Sequence, residues 1–123
     1  MEIIHIKDPI YNANIWMIYN CSLAEYKDWL LLKFKFDSPL DYDDISGFAT
    51  RIRYKAKNHF IIWIRNFNGS LESIGTIVHE VNHATMRAME LYCCINGNDE
   101  ALVYYNEYII KKIFKKLHIG VIT

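Results

Sequence analysis

Residues 73–92 read SIGTIVHEVNHATMRAMELY, and this stretch decides how the rest of the chain is read. Ile74, Ile77, Val78, Val81, Ala84, Thr85, Ala88 and Leu91 recur at helical spacing, which predicts a long amphipathic helix with these residues on its buried side. His79 and His83 lie four residues apart, so their imidazoles stand one turn above each other on one face. At about 100° per residue that face lies away from the apolar stripe. Neutral imidazoles at this spacing can share one small cation at ~2.1 Å. Glu80 points about a quarter-turn away from His79, where a carboxylate can act on a water that the cation holds.

Two histidines leave such a site incomplete, because a catalytic zinc takes three protein ligands and one open position. Downstream, Ile95-Asn96-Gly97-Asn98 ends the helix, and a second helix is expected from about Asp99 to Leu117, with Leu102, Tyr105, Ile109, Ile113 and Leu117 inward. A helix that turns at Asn96-Gly97 and returns brings its first turn, with Glu100, back toward the histidines. Gly75 leaves room on that face. Glu100 is the best candidate for third ligand, and Cys93 and Cys94 are rivals because thiolates also bind zinc. Tyr104, one turn beyond Glu100, has two open roles: a hydrogen bond to a developing oxyanion, or plain packing. Asp99 either orients a ligand or caps its helix. His5, His59 and His118 have no partner pattern and read as structural.

Before this helix the chain reads as strands and one helix. Ile3 to Ile6 is a weak strand ended by Asp8-Pro9, and Ile15 to Tyr19 is a firmer one. Ser22-Leu23-Ala24-Glu25 matches a capping box and predicts a helix from Leu23 to about Phe34, with Trp29, Leu30 and Leu32 helping to make its buried side. Phe36 to Ser46 reads as a loop whose aspartates only partly match a calcium loop. Phe48 to Lys55 alternates, with Phe48, Thr50, Ile52 and Tyr54 on one face, and Ala49, Arg51, Arg53 and Lys55 on the other, as in a sheet-edge strand. Phe60 to Ile64 is apolar without alternation, as in a strand covered on both faces. The short connection between them implies a hairpin.

Composition bounds the rest. A chain of 123 residues, 52% hydrophobic and 15% aromatic, is expected to form a single domain with a true core. The formal net charge of zero argues against general nucleic-acid binding. Lys111, Lys112, Lys115 and Lys116 fall where cations complement a helix C-terminus. Three cysteines, two of them adjacent, do not form a disulfide framework and point to a reducing compartment. With no signal-peptide pattern and no bilayer-length apolar run, a cytoplasmic protein without membrane contact is expected.

His79-Glu80-Val81-Asn82-His83, the HExxH pattern, followed by Asp99-Glu100-Ala101, resembles the gluzincin arrangement of zincin metallopeptidases, in which a downstream helix supplies a glutamate ligand. Small size and element order resemble minigluzincins and the short zincin-like reading frames of phages and prophages. The resemblance covers roughly 48–110. It implies an α+β fold: a three- to four-stranded mixed sheet with an antiparallel edge hairpin, packed on the HExxH helix and a C-terminal glutamate helix. It implies zinc as cofactor, with His79, His83 and Glu100 as ligands and Glu80 as general base in peptide hydrolysis. It also implies an edge strand, here Thr50, Arg51, Ile52 and Arg53, that binds extended peptide. In some minigluzincins a C-terminal tail lies in the cleft, so His118 to Thr123 either does the same or simply packs. A catalytically silent zincin-like protein, whose metal joins two helices, is the rival expectation. A nucleic-acid accessory protein using Arg51, Arg53 and the terminal lysines is a third.

Overall fold

The computed structural model describes residues 1–41, 44–93 and 100–120, with the backbone alone for 92 and 93. In order, the elements are β1 (Glu2–Lys7), β2 (Asn14–Tyr19), α1 (Leu23–Phe34), β3 (Gly47–Tyr54), β4 (Lys57–Ile64), α2 (Leu71–Cys93) and α3 (Glu100–Lys116). The fold is α+β. Its four strands form one mixed sheet in the order β1-β2-β4-β3. β1 and β2 are antiparallel, β2 and β4 are parallel, and β3 and β4 form the antiparallel edge hairpin. Among the described residues, no helix is long and apolar enough to cross a membrane.

Strand β4 is central and buried on both faces, which explains its continuous apolar run. Phe60, Ile62 and Ile64 join a core with Ile77, Val81, Ala84 and Ala88 of α2 and Tyr105, Ile109 and Ile113 of α3. Ile61 and Trp63 face the other way, against Leu23, Tyr26, Leu30 and Phe34 of α1. The sheet is therefore covered by two helices on one side and one on the other. Trp63 stacks on Tyr26, and its indole N–H donates to the Cys21 carbonyl, so this large ring is buried with its polar atom satisfied.

Local signals set several boundaries. The Ser22 hydroxyl accepts from the Glu25 N–H, the Glu25 carboxylate accepts from the Ser22 N–H, and α1 starts at the next residue, as the capping box predicts. The β3–β4 turn places Lys55 and Ala56 at φ 51° and 61°, the backbone twist of a two-residue hairpin turn. β1 is firmer than its sequence suggests. It pairs with β2 over its whole length, and the buried Asp8 carboxylate closes the turn by accepting from the N–H groups of Ile10 and Tyr11.

Two side chains depart from their expected sides. Leu32 is exposed, because the stripe of α1 runs through Leu23, Tyr26, Leu30 and Phe34 and leaves Leu32 on the far side. Leu91 is exposed, whereas Met89 is fully buried. Met89 belongs to the core that includes Tyr105, Ile109 and Ile113 of α3, so α2 packs on a helix as well as on a sheet.

The α1 side holds a polar cluster. The Trp16 indole N–H donates to His59 Nδ1 at 3.1 Å, and His5 stacks on the same indole at 3.7 Å between centroids. Trp16 can only donate, so His59 must be neutral with its proton on Nε2. Burial, then the neighbouring His5, Lys33 and Lys57, hold the His59 pKa below its ordinary value. The neutral form is favoured in the fold. This contribution to stability is complete above the unfolded value of about 6.5 and is lost as pH falls through that value toward the folded one. The urea midpoint should therefore fall between about pH 7.5 and about pH 5.5, and His59→Gln should reduce that fall. An identical fall in both proteins would remove His59 as its cause.

Candidate metal centre

Helix α2 opens at Ser70, whose hydroxyl accepts from the Ser73 N–H, and runs without interruption through the motif. His79 and His83 stand on its solvent side, one turn apart, with rings 4.8 Å between centroids. Their Nε2 atoms converge to 3.2 Å. Two imidazoles on one tetrahedral zinc, each at ~2.0–2.1 Å, require about 3.3–3.4 Å between nitrogens. The separation fits a shared ion within a small adjustment.

Glu80 occupies a different environment. The His79 side chain is 70% exposed and the Glu80 side chain only 6%, although the two are adjacent in sequence. Glu80 Oε1 lies 3.7 Å from His79 Nε2, while Oε2 is buried with no hydrogen-bond partner among the described residues. Such an orphaned acceptor is costly unless a ligand or proton satisfies it. Burial pushes the Glu80 pKa up, and the neighbouring His79, His83 and Arg87 offset part of that rise. His79, Glu80 and His83 each offer a ligand atom, all within 4.8 Å of one another, and the group could hold a metal ion.

Close packing puts Glu80 there. A Cβ at Gly47, the first residue of β3, would lie 3.0 Å from the Trp63 carbonyl oxygen, 3.1 Å from Glu80 Cγ and 3.1 Å from Thr76 Cγ2. The absence of a side chain lets α2 press its Thr76–Glu80 flank onto the sheet edge. A cleft then opens between the start of β3 and the helix, lined by Ile45, Gly47, Gly75, Thr76, His79 and Glu80. A Cβ at Gly75 would meet nothing within 4 Å, so the face expected to be roomy is open.

The other expected residues are placed as follows. Glu100 opens α3 with an exposed side chain and is outside the group formed by His79, Glu80 and His83. Helix α3 packs beside the histidine face through Asn106, whose amide donates to Asn82 Oδ1 at 2.5 Å and to Thr85 Oγ1 at 2.7 Å. It does not cover that face, and the histidines are exposed. Tyr104 is 65% exposed on α3. Asp99, the side chain of Cys93, all of Cys94 and the last three residues lie outside the described residues. On β3, Arg51 and Arg53 are exposed and Thr50 is half-buried, while the Ile52 side chain is buried on the α1 side.

The chain matches no family model, no curated protein and no solved structure.

Sequence reasoning overlooked Gly47 and Arg87. The only signal for Arg87 is its position seven residues after Glu80, two turns along the same flank. Its guanidinium donates to the Ala49 carbonyl at 3.4 Å, tethering β3 to α2. Nothing local marks Gly47, because the constraint comes from a helix about thirty residues away in sequence.

Gly47→Ala should keep the fold but push the Glu80 stem from its seat, costing about 1–3 kcal/mol as overpacking does. A melting temperature equal to that of the parent would show that the contact carries no strain.

Proposed function

We propose that this protein is a zinc-dependent peptidase of the gluzincin kind. The observation that carries this reading is the convergence of His79 and His83 Nε2 to 3.2 Å beside a buried carboxylate with one unpaired oxygen. His79 and His83 would hold the ion, with Glu100 proposed as third ligand from the exposed start of α3. When bound, zinc would polarise a peptide carbonyl and lower the pKa of water to roughly 7.

Glu80 supplies the proton chemistry. Its seat against Gly47 fixes the carboxylate on the sheet side of the histidines, at the head of the cleft. Oε1, the oxygen nearer His79 Nε2, would accept a proton from the attacking water, and the raised pKa of this buried group favours holding it. The same oxygen then returns the proton to the amine nitrogen that leaves. The edge of β3, which has no strand neighbour among the described residues, suits a substrate bound as an extended strand. An exposed imidazole pair leaves room for that approach.

The rival reading, a metal that joins two helices without turnover, requires a closed ligand shell that includes α3. A buried Glu80 oxygen with no hydrogen-bond partner among the described residues has no use in such a shell, and an exposed histidine face is not a closed one. Both observations favour hydrolysis.

Zinc titration of wild type, His79→Ala, His83→Ala and Glu100→Ala tests the ligand set. Removing a ligand should weaken zinc by more than roughly 100-fold, since even outer-shell partners cost 10–100-fold. Undiminished affinity in Glu100→Ala would remove the third ligand. Glu80→Gln should keep zinc and slow peptide cleavage by about 10²–10⁴. Equal cleavage by Glu80→Gln and wild type would overturn the general-base role.

A further inference from the structure

Strand β3 ends the sheet order, so one side of it has no strand neighbour among the described residues. Which backbone groups it offers there follows from its pairing. The Arg65 N–H donates to the Ser46 carbonyl at 2.9 Å. In an antiparallel ladder, bonded and non-bonded pairs alternate. With the register Gly47↔Ile64, Phe48↔Trp63 and Ala49↔Ile62, residues Phe48, Thr50 and Ile52 bond to β4. Gly47, Ala49, Arg51 and Arg53 turn their N–H and C=O groups to the free edge. The Arg87 bond to the Ala49 carbonyl agrees with this parity.

A peptide added along this edge alternates its side chains between the two faces of the sheet. On the α2 side it meets a cleft lined by Thr50, Arg51, Arg87, Glu90 and Leu91. Two guanidiniums face one carboxylate there, and neither arginine forms an ion pair with it. Among the described residues Arg87 spends one weak bond, on Ala49, which leaves most of its donors for a ligand. On the α1 side the same peptide meets an apolar groove lined by Phe36, Pro39, Leu40 and Phe48. Gly47 marks the Glu80 end of the strand, and Arg51 lies four residues along, about 14 Å away at ~3.4 Å per residue.

We propose that Arg51 and Arg87 form a carboxylate-recognising subsite, and that the ligand bound along β3 is an extended peptide carrying an acidic side chain about four residues from the bond at Glu80, with apolar residues on either side of it that face Phe36, Pro39 and Phe48. This assignment rests on the peptidase reading for its substrate and deepens it. Guanidinium suits the task because its planar donors pair with a carboxylate through two parallel bonds.

The test uses fluorescent peptides with amidated ends that differ only in Glu or Gln between two leucines. A third peptide has the Gln sequence and a free C-terminal carboxylate. Binding is read by anisotropy on the full chain carrying Glu80→Gln and loaded with zinc, so that the peptides stay intact. The Glu peptide should bind about tenfold more tightly than its Gln twin, the scale of a charge-assisted pair. Arg51→Gln and Arg87→Gln should each bring the ratio near one, while Lys116→Gln, at the far end of α3, should leave it as it was. Equal binding of the two amidated peptides, no binding of either, or a preference that follows the free C-terminus instead would overturn the proposal. Cleavage by the wild-type protein is scored separately. Selective binding without cleavage keeps the subsite and removes the peptidase, and cleavage without preference for Glu does the reverse.

Discussion

The close seating of helix α2 on the sheet is the constraint on which the rest of this protein depends. Small residues line the contact: Gly47 and Ala49 on β3, Ala84 and Ala88 on α2. They let the helix axis approach until its flank touches the edge strand. That approach buries Ile77 and Val81 completely against Phe60 and Ile62. It also carries Glu80, on the edge of the same stripe, out of solvent. One packing decision thus builds the core and sets the environment of the carboxylate.

The two kinds of side chain in the centre divide along this contact. His79 and His83 project into the open, where an ion can reach them. Glu80 projects toward the sheet, where water is scarce and the charged form is disfavoured. Adjacent residues on a helix differ by about 100° in direction, and that angle is enough to place one in solvent and the next in the protein. Under the proposed function these unlike surroundings would suit a base and a ligand pair, since a base works best with a pKa near neutral pH and imidazole ligands need room around their nitrogens.

Other parts of the fold hold this arrangement still. Helix α3 braces α2 from the side through Asn106, which bonds to both Asn82 and Thr85, while the Thr85 hydroxyl also bonds back to the Val81 carbonyl. Arg87 ties the opposite flank to the Ala49 carbonyl. Helix α1 plays no part in the centre. It covers the far side of β4 and so makes a strand buried on both faces possible.

The sequence by itself determined the elements and the identity of the histidine pair. Helical periodicity in residues 73–92, the Ser22–Glu25 box and the unbroken apolar run of β4 are local patterns. Each states its own structure, because backbone geometry alone decides which side chains share a face. The i,i+4 spacing of His79 and His83 belongs to this class, and it forms wherever the helix forms. Tertiary structure decided what surrounds that pair. Periodicity around a single helix finds the apolar stripe but not which partner covers each flank. That is why Met89 is buried while Leu91 is exposed, and why α3 lies beside the histidine face rather than over it. The burial of Glu80 could not be read from its charge, since it follows from a glycine on a distant strand that permits close approach. Contacts between remote segments depend on shape complementarity across the whole core, and no local pattern encodes them.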